Sequence, residues 1–158
     1  MKITKNIFNM KLKVLLPMVA TVILAGAMFL AGCEKEKKTS DDITNVKWHL
    51  TKFVDVANKT EEAPLYNSSD VFWLKLKTSS FEGKSFSNVL AGTVNIDAVT
   101  NKITFSNIGG TEINELFDGQ KFIDCLKQVY SFKITTENTL ILYYDNNKKY
   151  LQFEKINN

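Results

Sequence analysis

Residues Leu30-Ala31-Gly32-Cys33 close a seventeen-residue apolar run that begins at Val14, and four lysines precede this run. A positive start, an apolar stretch and small residues before a cysteine are typical of the signal at which exported bacterial lipoproteins are cleaved and acylated. A membrane-spanning anchor is the alternative interpretation. However, the run contains Pro17 and Gly26 and is shorter than the ~20 residues that a spanning helix needs. We therefore expect residues 1–32 to be a lipoprotein signal peptide and Cys33 to carry the lipid.

Cleavage before Cys33 leaves 158 − 32 = 126 residues, which suffice for one domain with a hydrophobic core. Residues 34–42 are charged or polar, so we predict a solvated tether over 33–45 and the folded domain over 46–158. The charges that follow Cys33 resemble the export signal of surface lipoproteins of Bacteroidetes. This resemblance predicts lipid anchoring in the outer membrane, and it leaves the periplasmic and the cell-surface face open.

The net charge of the whole chain is +3, but the four lysines before Cys33 leave with the signal, so the mature chain carries 3 − 4 = −1. A near-neutral domain lacks the positive surface that nucleic acid attracts, and we expect no nucleic-acid partner. Arginine is absent from the sequence, which removes the bidentate contacts that its guanidinium makes with phosphate. The composition therefore disfavours a phosphate-handling enzyme.

Two residue counts limit the chemistry of the mature chain. After acylation of Cys33, the sequence holds one cysteine, Cys125, and one histidine, His49. These counts exclude a disulfide framework and a thiolate metal site, and one histidine cannot make a transition-metal site. Cys125 lies in an apolar stripe and is interpreted as a small core residue. We predict no enzyme activity, no metal and no cofactor; a hydrolase that uses His49 and a nearby carboxylate is the enzyme alternative.

Four acidic residues cluster near the point where a helix is predicted to begin. Negative charge there stabilises the helix dipole and caps free N–H groups, which is the favoured interpretation. Calcium chelation is the alternative, although the spacing matches no calcium loop. The four residues are Glu112, Glu115, Asp118 and Asp124.

Alternation of apolar and polar residues predicts most strands. In residues 71–77, Phe72, Leu74 and Leu76 share one face, which is typical of a strand with one buried side. The same argument predicts strands from Val46 onwards and over 92–97, 102–106, 130–134, 140–144 and 150–154. Residues 58–64 are predicted to be a loop, and residues 81–90 are left open between a hairpin and a loop.

The spacing of apolar residues changes from 2 to 3.6 after Gly109-Gly110-Thr111. The resulting stripe comprises Ile113, Leu116, Phe117, Phe122, Cys125, Leu126 and Val129. It predicts one main helix over residues 120–129 that packs its apolar side on the sheet. The predicted fold class is α+β, a curved antiparallel sheet of about six to eight strands packed on one helix.

The order and sequence of these elements resemble the META/HslJ-like domain of small exported bacterial proteins, over residues 46–153. The matching residues are Trp48, Leu50, 92–96, 103–106, the Gly109-Gly110-Thr111-Glu112 turn, 115–126, 140–144 and 150–153. The cysteine that this family carries after its second hairpin is absent from residues 111–115. The resemblance implies the α+β architecture and no enzyme activity, with roles in stress tolerance and virulence.

Aromatic residues on several strands suggest a contact surface. Tyr143 and Tyr144 are adjacent, so they face opposite sides of their strand, and a sheet covered on one face would expose one ring. A sheet that closes on itself and buries both rings is the alternative. The candidate contact residues are Trp73, Tyr143, Tyr144 and Tyr150.

The expected function is that of a non-enzymatic envelope lipoprotein that acts by contact with a protein or glycan, in stress tolerance or as an accessory subunit. Its link to the membrane is the lipid on Cys33. The alternative is an inhibitor of secreted hydrolases, or a module that binds small ligands or glycans. That alternative would use the 81–90 segment or the mouth of the curved sheet.

Overall fold

A computed structural model describes residues 43–136 and 138–156. The predicted signal peptide and Cys33 lie outside these residues. The described part of the chain contains nine strands and one helix. The strands are β1 (Lys47–Asp55), β2 (Thr60–Glu62), β3 (Trp73–Leu76), β4 (Ser80–Lys84), β5 (Val89–Asp97), β6 (Lys102–Gly110), β7 (Ser131–Thr136), β8 (Thr139–Tyr144) and β9 (Lys149–Lys155). The helix α1 spans Gly119–Leu126 and connects β6 to β7.

The nine strands form one antiparallel sheet that closes on itself. Neighbouring strands follow the order β2-β1-β3-β4-β5-β6-β7-β8-β9, and β1 also pairs with β9. β2 and β3 share one edge of β1, where Asp55 pairs with Thr60 and His49 pairs with Trp73. β9 occupies the other edge of β1. Eight strands, β1 and β3 to β9, therefore make a closed ring. β2 lies outside this ring and pairs only with the carboxyl-terminal part of β1.

The contact between β6 and β7 is the weakest in the ring. The ladder there contains a single residue pair, Lys102 with Ser131. Two further backbone hydrogen bonds flank this pair, from Ile103 N to the Tyr130 oxygen and from Phe132 N to the Asn101 oxygen. The two strands diverge on both sides of these bonds, and the chain that connects them carries α1.

The core lies inside the ring. Alternate residues of each strand point inward, so Trp48 and Leu50 of β1 and Leu140 and Leu142 of β8 are fully buried. The Trp48 indole donates a hydrogen bond to the Ile43 oxygen at 3.0 Å, and Ile43 is fully buried as well. Ordered packing thus includes the first residue that the structure describes.

The α+β prediction is wrong, because the described molecule is mainly antiparallel sheet and its helix has only eight residues. The predicted 3.6-residue stripe is divided. Phe122, Cys125 and Leu126 of α1 are buried in the core, but Ile113 and Phe117 precede the helix and are exposed. The apolar residues of 113–117 are therefore exposed side chains that precede the helix, and they are not part of a buried helical face. About two turns of helix cannot form a layer that covers the sheet.

Two strands lie where the sequence was indecisive or predicted a loop. β4 occupies part of the 81–90 segment, where glycine and serine weaken the alternation, and β2 lies inside the predicted 58–64 loop. The strand predicted over 71–77 is confirmed at β3, with Leu74 and Leu76 buried. Across residues 43–136 and 138–156, no helix has the length and apolarity needed to cross a bilayer.

Candidate contact surface

Tyr143 and Tyr150, two of the predicted contact residues, pair across β8 and β9 on the outer face of the ring. Their ring centroids are 5.6 Å apart in a T-shaped arrangement, and both side chains are half-buried. Burial raises the pKa of the Tyr143 hydroxyl. The hydroxyl is therefore neutral at pH 7 and can both donate and accept hydrogen bonds.

An open cleft of about 610 Å³ lies beside Tyr143. It is walled by β7 and by the turns that join β5 to β6 and β8 to β9. Its lining includes Thr100, Asn101, Ser131, Lys133, Tyr143 and Asn147. Amides, hydroxyls and one aromatic ring can together hydrogen-bond and stack a small polar ligand.

Tyr144 lies on the inner face and is 7% exposed. Its hydroxyl shares a hydrogen bond with the Cys125 thiol of α1. Burial raises the pKa of both groups. The thiol therefore stays protonated at neutral pH, where it is a poor nucleophile, and Tyr144 is not available to an outside partner.

Trp73 lies on β3, two strands away from Tyr150, so the four predicted contact residues do not form one surface. The Lys47 ammonium sits 4.5 Å from the Trp73 ring centroid, in a cation–π contact. This contact covers part of the ring with a charged side chain of the same protein. Trp73 therefore belongs to a polar part of the outer face.

His49 lies between Trp73 of β3 and Glu154 of β9 on the outer face. Burial lowers the pKa of its imidazole, so His49 is neutral at pH 7. Among the buried side-chain nitrogen and oxygen atoms of the described residues, His49 Nε2 is the one that has no hydrogen-bond partner. Cys125 lies on the inner side of the sheet, so the two residues do not form a catalytic pair.

The four acidic residues near α1 do not gather into a site. Asp118 precedes the helix without a side-chain capping bond, so the predicted capping role is wrong for it. Its carboxylate instead accepts a hydrogen bond from Leu65 N at 2.8 Å. Asp124 bonds to side chains of α1 and the following turn. Residues 43–136 and 138–156 contain no cluster of three or more groups that could hold a metal ion.

Glu115 has a different role, because it is the centre of a polar network that links two loops. Its carboxylate accepts hydrogen bonds from Ser85 Oγ and from Asn88 Nδ2, the latter at 2.6 Å. The Asn88 amide also bonds to both backbone groups of Ile113. Ser85 and Asn88 are buried in the β4–β5 turn. The network therefore fixes the 111–116 segment against that turn.

Beside this network, three loops bring apolar side chains together at the rim of the ring. The rings of Tyr66 and Phe86 lie 5.3 Å apart, and those of Phe86 and Phe117 lie 4.6 Å apart. The loops are joined by hydrogen bonds that the Leu65 N–H donates to the Asp118 carboxylate and the Leu116 N–H donates to the Ser87 hydroxyl. We call this group the rim patch; it comprises Leu65, Tyr66, Phe86, Ile113, Leu116 and Phe117.

Most of the rim patch is open to solvent. Leu65 is 77% exposed, Phe117 60% and Leu116 57%. Large apolar residues in contact with one another and with water are unusual on a protein that makes no contacts. Phe117 also has a φ of 48°, a left-handed conformation that bulky residues rarely adopt. The rim patch is therefore the strongest candidate contact surface in the described molecule.

The sequence prediction missed this surface because Leu116 and Phe117 were assigned to the helical stripe. A signal for exposure was present at Leu65-Tyr66, an apolar pair enclosed by Pro64 and Asn67 in a polar loop. An apolar pair in a loop has no regular neighbour to pack against, unlike one in a strand. Phe86 belongs to the 81–90 segment that was proposed as a ligand-binding loop, and it lies at the centre of the patch.

No family model matches the chain, and no curated protein matches it. Two solved structures are similar in fold. A solution NMR structure of a protein from Burkholderia xenovorans gives a TM-score of 0.57 at 20% identity, over 73% of this chain and 85% of that chain.

A crystal structure of a DUF4847 family protein from Bacteroides vulgatus gives a TM-score of 0.53 at 17% identity, over 71% of this chain and 93% of that chain. At these identities the likeness extends to the fold alone. It therefore supports the closed antiparallel architecture, and the functional argument depends on the surface of this chain.

Proposed function

We propose that this protein is a non-enzymatic, lipid-anchored protein of the bacterial envelope that acts by contact, with the rim patch as its contact surface. One observation carries the proposal: the Tyr66 and Phe117 rings pack on the half-buried Phe86 ring and are nevertheless 49% and 60% exposed. Aromatic side chains supply much contact area and lose little rotamer entropy on binding, which suits them to recognition. A role in stress tolerance or as an accessory subunit agrees with such contacts.

The placement of the reactive side chains also supports a role without catalysis. Cys125 is buried and protonated, and His49 lies on the other side of the sheet. The hydrolase alternative would therefore need His49 with a carboxylate such as that of Glu154, its neighbour on β9. Activity that survives His49→Ala would exclude even this alternative.

Photo-crosslinking in living cells tests the contact surface. A benzophenone-bearing phenylalanine would replace Phe117 in one variant and Val99 in the control. Val99 is 84% exposed and lies in the β5–β6 turn, outside the rim patch. We expect a discrete crosslinked partner from position 117 and none from position 99. No adduct from position 117, or the same adducts from both positions, would contradict the proposal.

The proposed anchor depends on one atom, the sulfur of Cys33. A fatty-acid probe added to growing cells should label the wild-type protein and not Cys33→Ser, whose precursor should accumulate in the inner membrane. Protease added to intact cells would then report whether the domain faces outward. Equal labelling of both proteins would show that Cys33 is not the acylated residue.

A second candidate function is the binding of a glycan or another small polar ligand, and the cleft beside Tyr143 favours it. A thermal-shift screen with oligosaccharides tests this function. A ligand at a hundred times its dissociation constant should stabilise the protein by ~2.7 kcal/mol. Tyr143→Ala should abolish the shift, whereas Phe117→Ala should leave it intact because Phe117 lies in the rim patch.

A further inference from the structure

The chain segments that form or flank the rim patch carry an excess of negative charge. Residues 61–70, 84–89 and 111–121, which form or flank it, contain six acidic residues and two lysines. The excess is 6 − 2 = 4 negative charges. Ion pairs join Glu61 to Lys52 of β1 at 2.6 Å and Glu62 to Lys121 at 2.9 Å. With Lys52 counted, three negative charges remain around an exposed apolar surface.

From this charge we infer the chemistry of the partner, an inference that rests on the proposed function. We propose that the rim patch binds a cationic amphipathic segment of another protein. Apolar side chains of that segment would pack on the Tyr66, Phe86 and Phe117 rings. Its lysine or arginine residues would lie against Asp70 and Glu112, which are exposed and stand close to Tyr66 and Ile113 along the chain. Complementary charge around an apolar centre sets the orientation and the rate of such binding.

The same charge disfavours a second copy of this chain as the occupant. A symmetric dimer places one patch against an identical patch, so the net negative charge of one copy faces the same net negative charge of the other. Like charges brought together at an interface are repulsive. Two rim patches, each with the same negative surroundings, would therefore repel each other.

An anionic lipid surface is disfavoured for the same reason and by the position of the patch. The described chain begins beside Thr44, which bridges to Leu76 at the β3–β4 turn. Phe86 lies in the β4–β5 turn, at the other end of β4. The ten residues from Cys33 to Ile43 (43 − 33) reach at most ~35 Å. The tether therefore joins the domain near the end of β4 that is opposite to Phe86.

Model peptides can test the charge preference directly. The full chain, in nanodiscs of neutral phosphatidylcholine, would be titrated into two fluorescent amphipathic peptides, one of leucine and lysine and one of leucine and glutamate. Empty nanodiscs provide the baseline. We expect the lysine peptide to bind, the glutamate peptide not to bind, and the affinity to fall as NaCl rises from about 0.05 M to about 0.5 M.

Two variants assign the binding to the patch. The double variant Leu116→Ser with Phe117→Ser should lower the affinity for the lysine peptide by about tenfold or more, because both apolar contacts are removed. The double variant Asp70→Lys with Glu112→Lys should lower the affinity for the lysine peptide by about fivefold and allow the glutamate peptide to bind. Val99→Ser is the matched control and should change neither affinity.

Several outcomes would overturn the inference. These are equal affinity for both peptides, no effect of the charge reversal, patch-dependent binding to phosphatidylglycerol vesicles, and a dimer that Phe117→Ser dissociates. The cellular crosslinking experiment does not depend on charge. Crosslinks from position 117 without selectivity between the peptides would therefore overturn this inference and leave the proposed function standing.

Discussion

Phe86 joins two groups of aromatic rings that differ in their exposure to water. On its inner side, Phe72 and Phe122 are fully buried, and their ring centroids lie 5.7 Å apart. On its outer side, Tyr66 and Phe117 are 49% and 60% exposed. The rings in both groups make contacts of similar length and angle. Folding accounts for the inner group, because its burial removes apolar area from water, and it accounts poorly for the outer group.

Backbone strain makes the contrast sharper. Phe72 and Phe117 both adopt left-handed backbone conformations, with φ of 51° and 48°. This conformation costs an L-residue ~1–2 kcal/mol. Full burial of the Phe72 ring stabilises by ~1.5–3 kcal/mol and offsets that cost. Phe117 is 60% exposed and gains much less from burial, so folding offsets less of this cost at Phe117 than at Phe72.

The largest expected effect breaks the inner group. Leu126 is fully buried, so Leu126→Asp places a carboxylate in the core, and we expect the domain to unfold because the cost is several kcal/mol. Circular dichroism during heating would measure this. Val99→Asp, at an exposed position, should melt like the wild type. A normal melting curve for Leu126→Asp would show that α1 does not contribute to the core.

The next effect compares the two groups directly. Phe122→Ala should lower the free energy of unfolding by ~3–5 kcal/mol, because it leaves a cavity in the core. Phe117→Ala should lower it by less than ~1 kcal/mol, because most of the ring is already exposed. Urea denaturation of both variants would measure the difference. Equal losses would mean that the rim patch is part of the core.

A smaller effect concerns the polar network that holds the rim patch in place. Glu115→Ala leaves the buried Ser85 hydroxyl and the Asn88 amide without their carboxylate acceptor, at a cost of ~1–3 kcal/mol. Hydrogen exchange should accelerate at the Ile113 amide, which bonds to Asn88. Glu112→Ala is the control, since Glu112 is exposed. Unchanged exchange at Ile113 would show that the network does not order the rim.

The smallest expected effect is a dependence of stability on pH, and it comes from His49 on the outer face of the sheet, away from both aromatic groups. Burial lowers the pKa of His49 in the folded state, so the unfolded chain takes up this proton at a higher pH than the folded chain does. Stability should therefore fall as the pH drops through ~6.5, the ordinary pKa of histidine, and this loss should be absent above it.

Urea midpoints between about pH 5.5 and about pH 7.5 would show the effect of this proton. His49→Gln should remove the dependence on pH in that interval, whereas Phe117→Ala should retain it. A dependence that persists in His49→Gln would assign the proton to another group.

The sequence predicted strands well where alternation determined one buried face. β3 and β8 were placed within one or two residues, because a strand with Leu74 and Leu76 inside cannot shift by one residue without exposing them. The pairing of β1 with β9 depends on contacts about a hundred residues apart, such as Leu50 with Phe153. Local periodicity contains no information about such pairs.

The candidate site could not be predicted because the apolar residues of the rim patch have the same composition as a core segment. Ile113, Leu116 and Phe117 have the i, i+3, i+4 spacing of one helical face. The left-handed backbone at Phe117, which the sequence does not show, is incompatible with a helix there. Glu115 was interpreted as a capping residue, whereas Ser85 and Asn88, about thirty positions earlier, determine its real role. Sequence spacing shows neighbours along one element, but these partners come from another loop.

The pairing of β1 with β9 has a consequence for when this chain can fold. One edge of β1 has no partner until β9 is made, so the sheet stays open until the carboxyl-terminal residues have been synthesised. Contacts between distant parts of a chain also form slowly. The export signal proposed for residues 1–32 would direct the chain to a translocation channel that it must enter unfolded. Late closure of the ring would keep the sheet open for this proposed route until synthesis ends.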